Sequence, residues 1–135
     1  MNPLNEDLSA LKKRGGKIIQ YSGWADQQVN PLPGISYYDA VSRRMGDAAT
    51  REFYRLFMVP GMYHCSGGPG CSSVDWLAAL MDWVENGIAP KEIIGTHLEM
   101  GQPTRTRPLC PYPQVAKYQG AGSIDEAANF ACANP

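Results

Sequence analysis

Phe53-Tyr54-Arg55-Leu56-Phe57-Met58-Val59-Pro60-Gly61-Met62-Tyr63-His64-Cys65 is the stretch that decides the fold. An almost unbroken apolar run, interrupted by Arg55, ends in Pro60-Gly61, and a histidine and a cysteine stand just beyond it. Such a run fits a strand covered on both faces, as in a parallel sheet. Side chains just past the carboxyl end of such a strand sit where open α/β sheets hold their ligands. The arrangement has a counterpart upstream, where Lys17 to Tyr21 leads into Gly23-Trp24-Ala25-Asp26, a turn that carries an acid. Between the two runs, Tyr37, Tyr38, Val41 and Met45 recur at helical spacing. This predicts a helix over Ser36 to Met45, with Ser36 and Asp39 shaped as a capping box and Gly46 as the stop. Strand, helix, strand in this order predicts a parallel pair joined by a right-handed crossover. Asp26 and His64 then fall at the carboxyl ends of neighbouring strands, within hydrogen-bond reach of each other or one small loop movement of it.

The remaining pattern extends the α/β alternation. Asn5 to Arg14 reads as a short helix capped by Asn5 and stopped by Gly15-Gly16. Gly23 to Pro33 reads as a loop, and so does the glycine-rich segment Ser66 to Ser73. Val74 to Glu85 is the clearest helix, with Trp76, Leu77, Leu80, Trp83 and Val84 as an apolar stripe, Ser73 as cap and Asn86-Gly87 as stop. Ile93 to Leu98 reads as a third strand, and from Gly101 onward the prolines are expected to break up regular structure. The chain thus divides into strand-helix repeats over 1–100 and a Pro/Gly-rich tail over 101–135, together one domain or one piece of a larger one.

The bulk properties exclude several classes. The formal net charge of −1 over 135 residues gives no footprint for nucleic acid or an acidic membrane surface. No apolar run approaches the length of a membrane span. The first residues, Met1 to Asp7, lack the basic start and apolar stretch of a signal peptide. Of the four cysteines, Cys110 and Cys132 bracket a tail too poor in apolar residues to bury much surface. A disulfide between them would restrain it and points to an oxidising compartment; two free thiols are the alternative. Two or three strands with flanking helices cannot cover both faces and both edges of a sheet. Ile18, Ile19, Phe57 and Val59 are therefore expected to need burial by association.

A histidine held by a carboxylate is fixed in one tautomer, and its other ring nitrogen can take a proton from a hydroxyl. Asp26 and His64 are the candidates for that pair. Read alone, Asp26 is a loop acid bonding its own backbone, and His64 is a polar residue in a glycine-rich turn. Their shared placement at strand ends favours the functional reading. No Gly-x-Ser-x-Gly elbow accompanies them. Ser72 and Ser73 are better explained as helix caps than as nucleophiles, and His97 reads as structural. His64, Cys65, Cys71 and His97 are zinc-ligand types, but adjacent His-Cys is poor ligand spacing, so no metal is expected.

At these residues the sequence resembles the carboxyl-terminal part of the tannase and feruloyl esterase family of serine esterases. The resemblance is carried by Gly16 to Asp26, Phe53 to Cys65 and Gly67-Gly68-Pro69-Gly70. Downstream it is carried by Arg105-Thr106-Arg107-Pro108-Leu109-Cys110-Pro111-Tyr112-Pro113 and by Ala127 to Cys132. It implies an α/β-hydrolase fold with an irregular, disulfide-tied tail, in which Asp26 is the triad acid and His64 the base. It implies that Cys65 is the half-cystine bridging to a cysteine beside the nucleophilic serine, and that Cys110 and Cys132 form the tail disulfide. Aromatic carboxylic esters are the implied substrates, no cofactor is implied, and the setting is secreted or periplasmic. The serine, the oxyanion-hole amides and the lid with its calcium site find no match here. The chain is therefore expected to be a catalytic portion, inactive alone, that meets a serine-bearing half or self-associates. The alternative is a non-catalytic association module that keeps a hydrolase-derived fold.

Overall fold

The structure is a computed structural model and describes residues 5–135. In chain order the elements are α1 (Ser9–Lys13), β1 (Ile18–Gly23), α2 (Leu32–Met45), α3 (Asp47–Arg51), β2 (Tyr54–Val59) and α4 (Trp76–Asn86). These are followed by β3 (Ile93–Glu99), β4 (Gln102–Leu109), β5 (Val115–Tyr118), a 3₁₀ turn at Ala127–Asn129 and β6 (Phe130–Ala133). β1 and β2 are parallel, in register from Ile18 opposite Tyr54 to Gly23 opposite Val59. β3 and β4 form an antiparallel ribbon, as do β5 and β6. Isolated bridges tie Phe57 to Pro111 and Ser73 to Thr96, so the ribbons are laced to the parallel pair and to the loop before α4.

β2 is the spine, and its alternation explains the core. Tyr54 and Leu56 face one way and pack with Tyr38 and Val41 of α2 and with Phe53. Phe57 and Val59 face the other way and pack with Met62, Ile93 and Leu109, with Trp76 and Ala79 of α4 alongside. Tyr54, Leu56, Phe57 and Val59 are all buried. Each burial of this kind contributes roughly 1.5–3 kcal/mol, which makes β2 the strand the fold can least lose. Phe57 and Val59 therefore do not need a partner molecule, because α4 and the β3–β4 ribbon supply their second layer. Ile18 and Ile19 are partly buried against the two clusters.

Several boundaries differ from the sequence expectation. α1 is shorter than Asn5 to Arg14. Asn5 Oδ1 accepts from the Asp7 amide and Asp7 Oδ1 from the Ser9 amide, and these two tight turns use up the residues before Ser9. α2 begins at Leu32, four residues before Ser36, because Pro33 lies in the first turn, where its missing N–H costs nothing. Ser36 therefore lies inside the helix and caps nothing. α4 is capped by Asp75, whose Oδ1 accepts from the Ala78 amide at 2.9 Å, while Ser73 is drawn into the bridge with Thr96. The prolines of the tail do not prevent strands. β4 pairs only with β3 over its length, so Pro103 and Pro108 can leave an N–H position unpaired, as edge strands tolerate. The tail is tied by a Cys110–Cys132 disulfide that spans a sequence separation of 22.

Candidate active site

The two post-strand loops are zipped together by backbone. The Trp24 amide donates to the Val59 carbonyl at 3.0 Å, and the Ala25 amide donates to the Met62 carbonyl at 3.1 Å. This lacing requires glycine at position 23. A Cβ there would lie 2.1 Å from the Met62 oxygen and 2.6 Å from the Tyr63 oxygen. Both obstacles are backbone and cannot swing away.

Asp26 lies one turn beyond this contact. Its Oδ1 accepts from the amides of Gln28 at 2.8 Å and Val29 at 2.9 Å. Its Oδ2 lies 2.8 Å from His64 Nδ1. The Val29 N–H holds the Asp26 carboxyl below the usual carboxylate range; burial opposes this, and His64 and the Gln28 N–H add to it. An ionised carboxylate only accepts, so Nδ1 carries a proton and Nε2 is the ring nitrogen left outside this contact. The Asp26 side chain is 6% exposed and that of His64 is 41% exposed. The acid is covered and the base is open, the polarity that a proton-transferring pair needs.

The loop over residues 66–70 props the base. The Ser66 amide donates to the His64 carbonyl at 2.8 Å, the Tyr63 amide to Gly67 at 3.3 Å and the Gly70 amide to Gly61 at 3.1 Å. A Cβ on Gly70 would meet the Pro60 oxygen at 1.9 Å, so this loop lies directly on the turn that carries His64. Cys65, next in the chain, is an exposed free thiol at φ 64°, a left-handed conformation uncommon for a side-chain-bearing residue. Cys71 is buried, with its sulfur 3.7 Å from the Arg105 carbonyl.

The sequence brought Asp26 and His64 to one place, and the structure has them there. What the sequence reading missed is the glycine at 23 and the seating of the 66–70 loop. The signal available was the density of glycines on both sides of His64. Among the described residues no serine hydroxyl hydrogen-bonds His64. His97 Nδ1 lies 3.0 Å from the Gly70 carbonyl, and Nε2 lies 3.5 Å from Glu99, an acid two residues on whose proximity the sequence reading did not foresee. This secures the glycine-rich loop from β3. A cavity of about 650 Å³ beside the glycine-rich loop is lined by neither Asp26 nor His64; the site is located by hydrogen-bond geometry.

Comparison with known proteins gives a consistent result. A family model described as "Tannase and feruloyl esterase" matches residues 1–133. The chain is 51% identical over 132 residues to a mono(2-hydroxyethyl) terephthalate hydrolase of Piscinibacter sakaiensis, covering 96% of this chain and 22% of that protein. It is 42% identical over 134 residues to a probable feruloyl esterase of Arthroderma benhamiae, covering 96% of this chain and 25% of that protein. The crystal structure of feruloyl esterase B from Aspergillus oryzae superposes with a TM-score of 0.91 at 30% identity, covering 96% of this chain and 29% of that one. The chain thus spans between a fifth and a third of the length of these relatives. Its fold is the carboxyl-terminal part of the α/β-hydrolase architecture.

Proposed function

The chain belongs to the tannase and feruloyl esterase family, and from that premise we propose that it carries the acid and the base of a serine esterase acting on aromatic carboxylic esters. The observation that carries this reading is the 2.8 Å contact from His64 Nδ1 to a covered, ionised Asp26, with the other edge of the imidazole open.

The chemistry is acyl transfer in two halves. His64 Nε2 takes the proton of a serine hydroxyl as that oxygen attacks the ester carbonyl, and then delivers it to the departing alcohol. Asp26 holds the tautomer and stabilises the imidazolium. In the second half His64 activates water against the acyl-serine. The attacking serine and the amides that receive the oxyanion come from outside these 135 residues, because the sequence has no Gly-x-Ser-x-Gly elbow and no serine hydroxyl among the described residues hydrogen-bonds His64. Cys65, exposed beside the base, is the half-cystine that anchors the His64 loop to that serine-bearing part. The 135 residues act as one partial domain, and the Cys110–Cys132 bridge favours an oxidising, secreted or periplasmic setting. Among the described residues no helix is long and apolar enough to cross a membrane.

Complementation tests the reading. The isolated chain is expected to hydrolyse methyl ferulate and methyl gallate at background rate. A chimera in which it replaces the matching stretch of the Piscinibacter sakaiensis hydrolase is expected to be an active esterase, and His64→Ala is expected to abolish that activity. A folded but inactive chimera would favour a non-catalytic association module. Turnover by the isolated chain that is lost on Ser72→Ala would move the nucleophile into this chain.

A further inference from the structure

Two donors from the β3–β4 ribbon grip the glycine-rich loop beside His64. His97 and Arg105 stand directly opposite each other in the ribbon, next to the register shift between His97 and Leu98. Opposed residues of an antiparallel pair share a face of the sheet. Here that face meets two successive carbonyls of the loop: His97 Nδ1 lies 3.0 Å from the Gly70 carbonyl, and Arg105 Nη2 donates to the Pro69 carbonyl. A carbonyl only accepts, so His97 Nδ1 carries a proton. The ring's other nitrogen faces the Glu99 carboxylate at 3.5 Å, and only 19% of the side chain is exposed.

The far side of the loop rests on the turn that carries the base. The Gly70 amide donates to the Gly61 carbonyl at 3.1 Å, and the Tyr63 amide donates to the Gly67 carbonyl at 3.3 Å. Pro69-Gly70 is thus a strut, with the ribbon bonded to its carbonyls and the His64 turn bonded to its amide. Farther along, the chain is fastened to β3 by backbone, through the paired Ser73 and Thr96 bonds of 3.0 and 2.9 Å. Removing a side chain at 97 or 105 therefore frees the strut and leaves the ribbon attached. Among the described residues, Asp26 is the one side-chain hydrogen-bond partner of the His64 ring. The place of the ring otherwise depends on its turn, and the turn on the strut.

We propose that His97 and Arg105 are positioning residues for His64, acting through Pro69 and Gly70 to hold the base against Asp26. A proton-transferring group must be kept in place by neighbours that are themselves fixed. A displacement of about 1 Å, caused far from the chemistry, can cost about 10²-fold in rate. The inference rests on the acid–base reading of Asp26 and His64.

Two readouts test it. In the isolated 135-residue chain, long-range proton–nitrogen NMR correlation gives the tautomer of His64, expected to be Nδ1–H in the wild type. His97→Leu removes the donor to Gly70 and is expected to give a mixture of tautomers at His64. His97→Asn puts an amide nitrogen in the place of Nδ1 and is expected to restore the wild-type form. In the chimera, His97→Leu is expected to lower kcat by about tenfold to hundredfold with KM changed less than about twofold, and His97→Asn to recover most of the loss. Arg105→Met is expected to repeat both effects, and it supplies the answer if His97→Leu does not fold. A role in stability alone would lower the melting temperature of these variants while leaving the His64 tautomer and kcat unchanged. That result, or an Asn variant indistinguishable from the Leu variant, would overturn the proposal. An inactive wild-type chimera together with the expected tautomer changes would overturn the esterase reading and support the positioning of His64.

Discussion

Gly23 has no Cβ, and the acid and the base meet because of it. Gly23→Ala forces its new methyl against the Met62 and Tyr63 carbonyls at 2.1 and 2.6 Å, and one of the two loops must retreat. We expect a loss of about 1–3 kcal/mol, as for other overpacked sites, together with loss of the far-downfield proton signal of His64 Nδ1–H. An unchanged melting curve with that signal intact would show that the loops have slack. Asp26 carries a pH signature. Its folded-state pKa lies below the unfolded value, so the folded chain binds fewer protons there. The stability this confers is complete above the unfolded value of about 3.9 and is lost as the pH falls through the depressed value. The stability gap between wild type and Asp26→Asn should therefore be constant near neutrality and close in that acid window. A gap that stays open at the lowest pH would assign the Asn effect to packing instead. The pairing of Asp26 with His64 was legible in the sequence because each follows an apolar run and the runs are consecutive strands. The requirement for Gly23 was not, because it comes from a carbonyl 39 positions away, at Met62.

At the scale of elements, the strands were easier to read than the helix ends. β2 declares itself through residues buried on both faces, and its neighbours follow from its two-sided core. Helix starts depend on which of several polar residues wins a local competition. Ser73 and Asp75 both precede α4; the bridge from Ser73 to Thr96 removes Ser73 from the contest, and Asp75 takes the cap. Asp75→Ala should cost about 0.5–2 kcal/mol in chemical denaturation, the usual range for a lost cap, whereas Ser73→Ala should cost little. The reverse order would restore the reading made from sequence. The stripe on α4 was half right. Trp83 is buried, but Leu77 and Val84 are exposed, as is Met81 between them. Leu77, Met81 and Val84 recur at helical spacing, so α4 has a second apolar face that periodicity alone cannot distinguish from the first. The tail strands were missed because prolines were counted without regard to which edge of the ribbon they occupy.

The whole molecule needs its tail tied and its open faces covered. The disulfide closes a loop of sequence separation 22, for which the chain-entropy model gives roughly 3 kcal/mol. Cys110→Ser with Cys132→Ser should lower the stability by about that amount; an unchanged unfolding midpoint would mean that the two ribbons hold the tail unaided. Self-association through the outer face of α4 is expected of the isolated chain, because a contiguous apolar stripe on a helix is seldom left in water. Sedimentation at micromolar concentration should show oligomers that Leu77→Glu disperses, and a monomer at all concentrations would refute this. Fold class and acid–base pair were within reach of the sequence because both rest on local runs and their order. The hold of His97 and Arg105 on the glycine-rich loop was not, since it depends on the register of β3 with β4, a strand that the sequence reading missed. The central claim is that Asp26 and His64 act as one catalytic unit, and the turnover number of the chimera carrying Asp26→Asn tests it most directly. Asparagine keeps the shape of the site but reverses the imidazole tautomer, so kcat for an aromatic ester should fall by about 10⁴ with the fold intact. A kcat within a few-fold of the unmodified chimera would contradict the account.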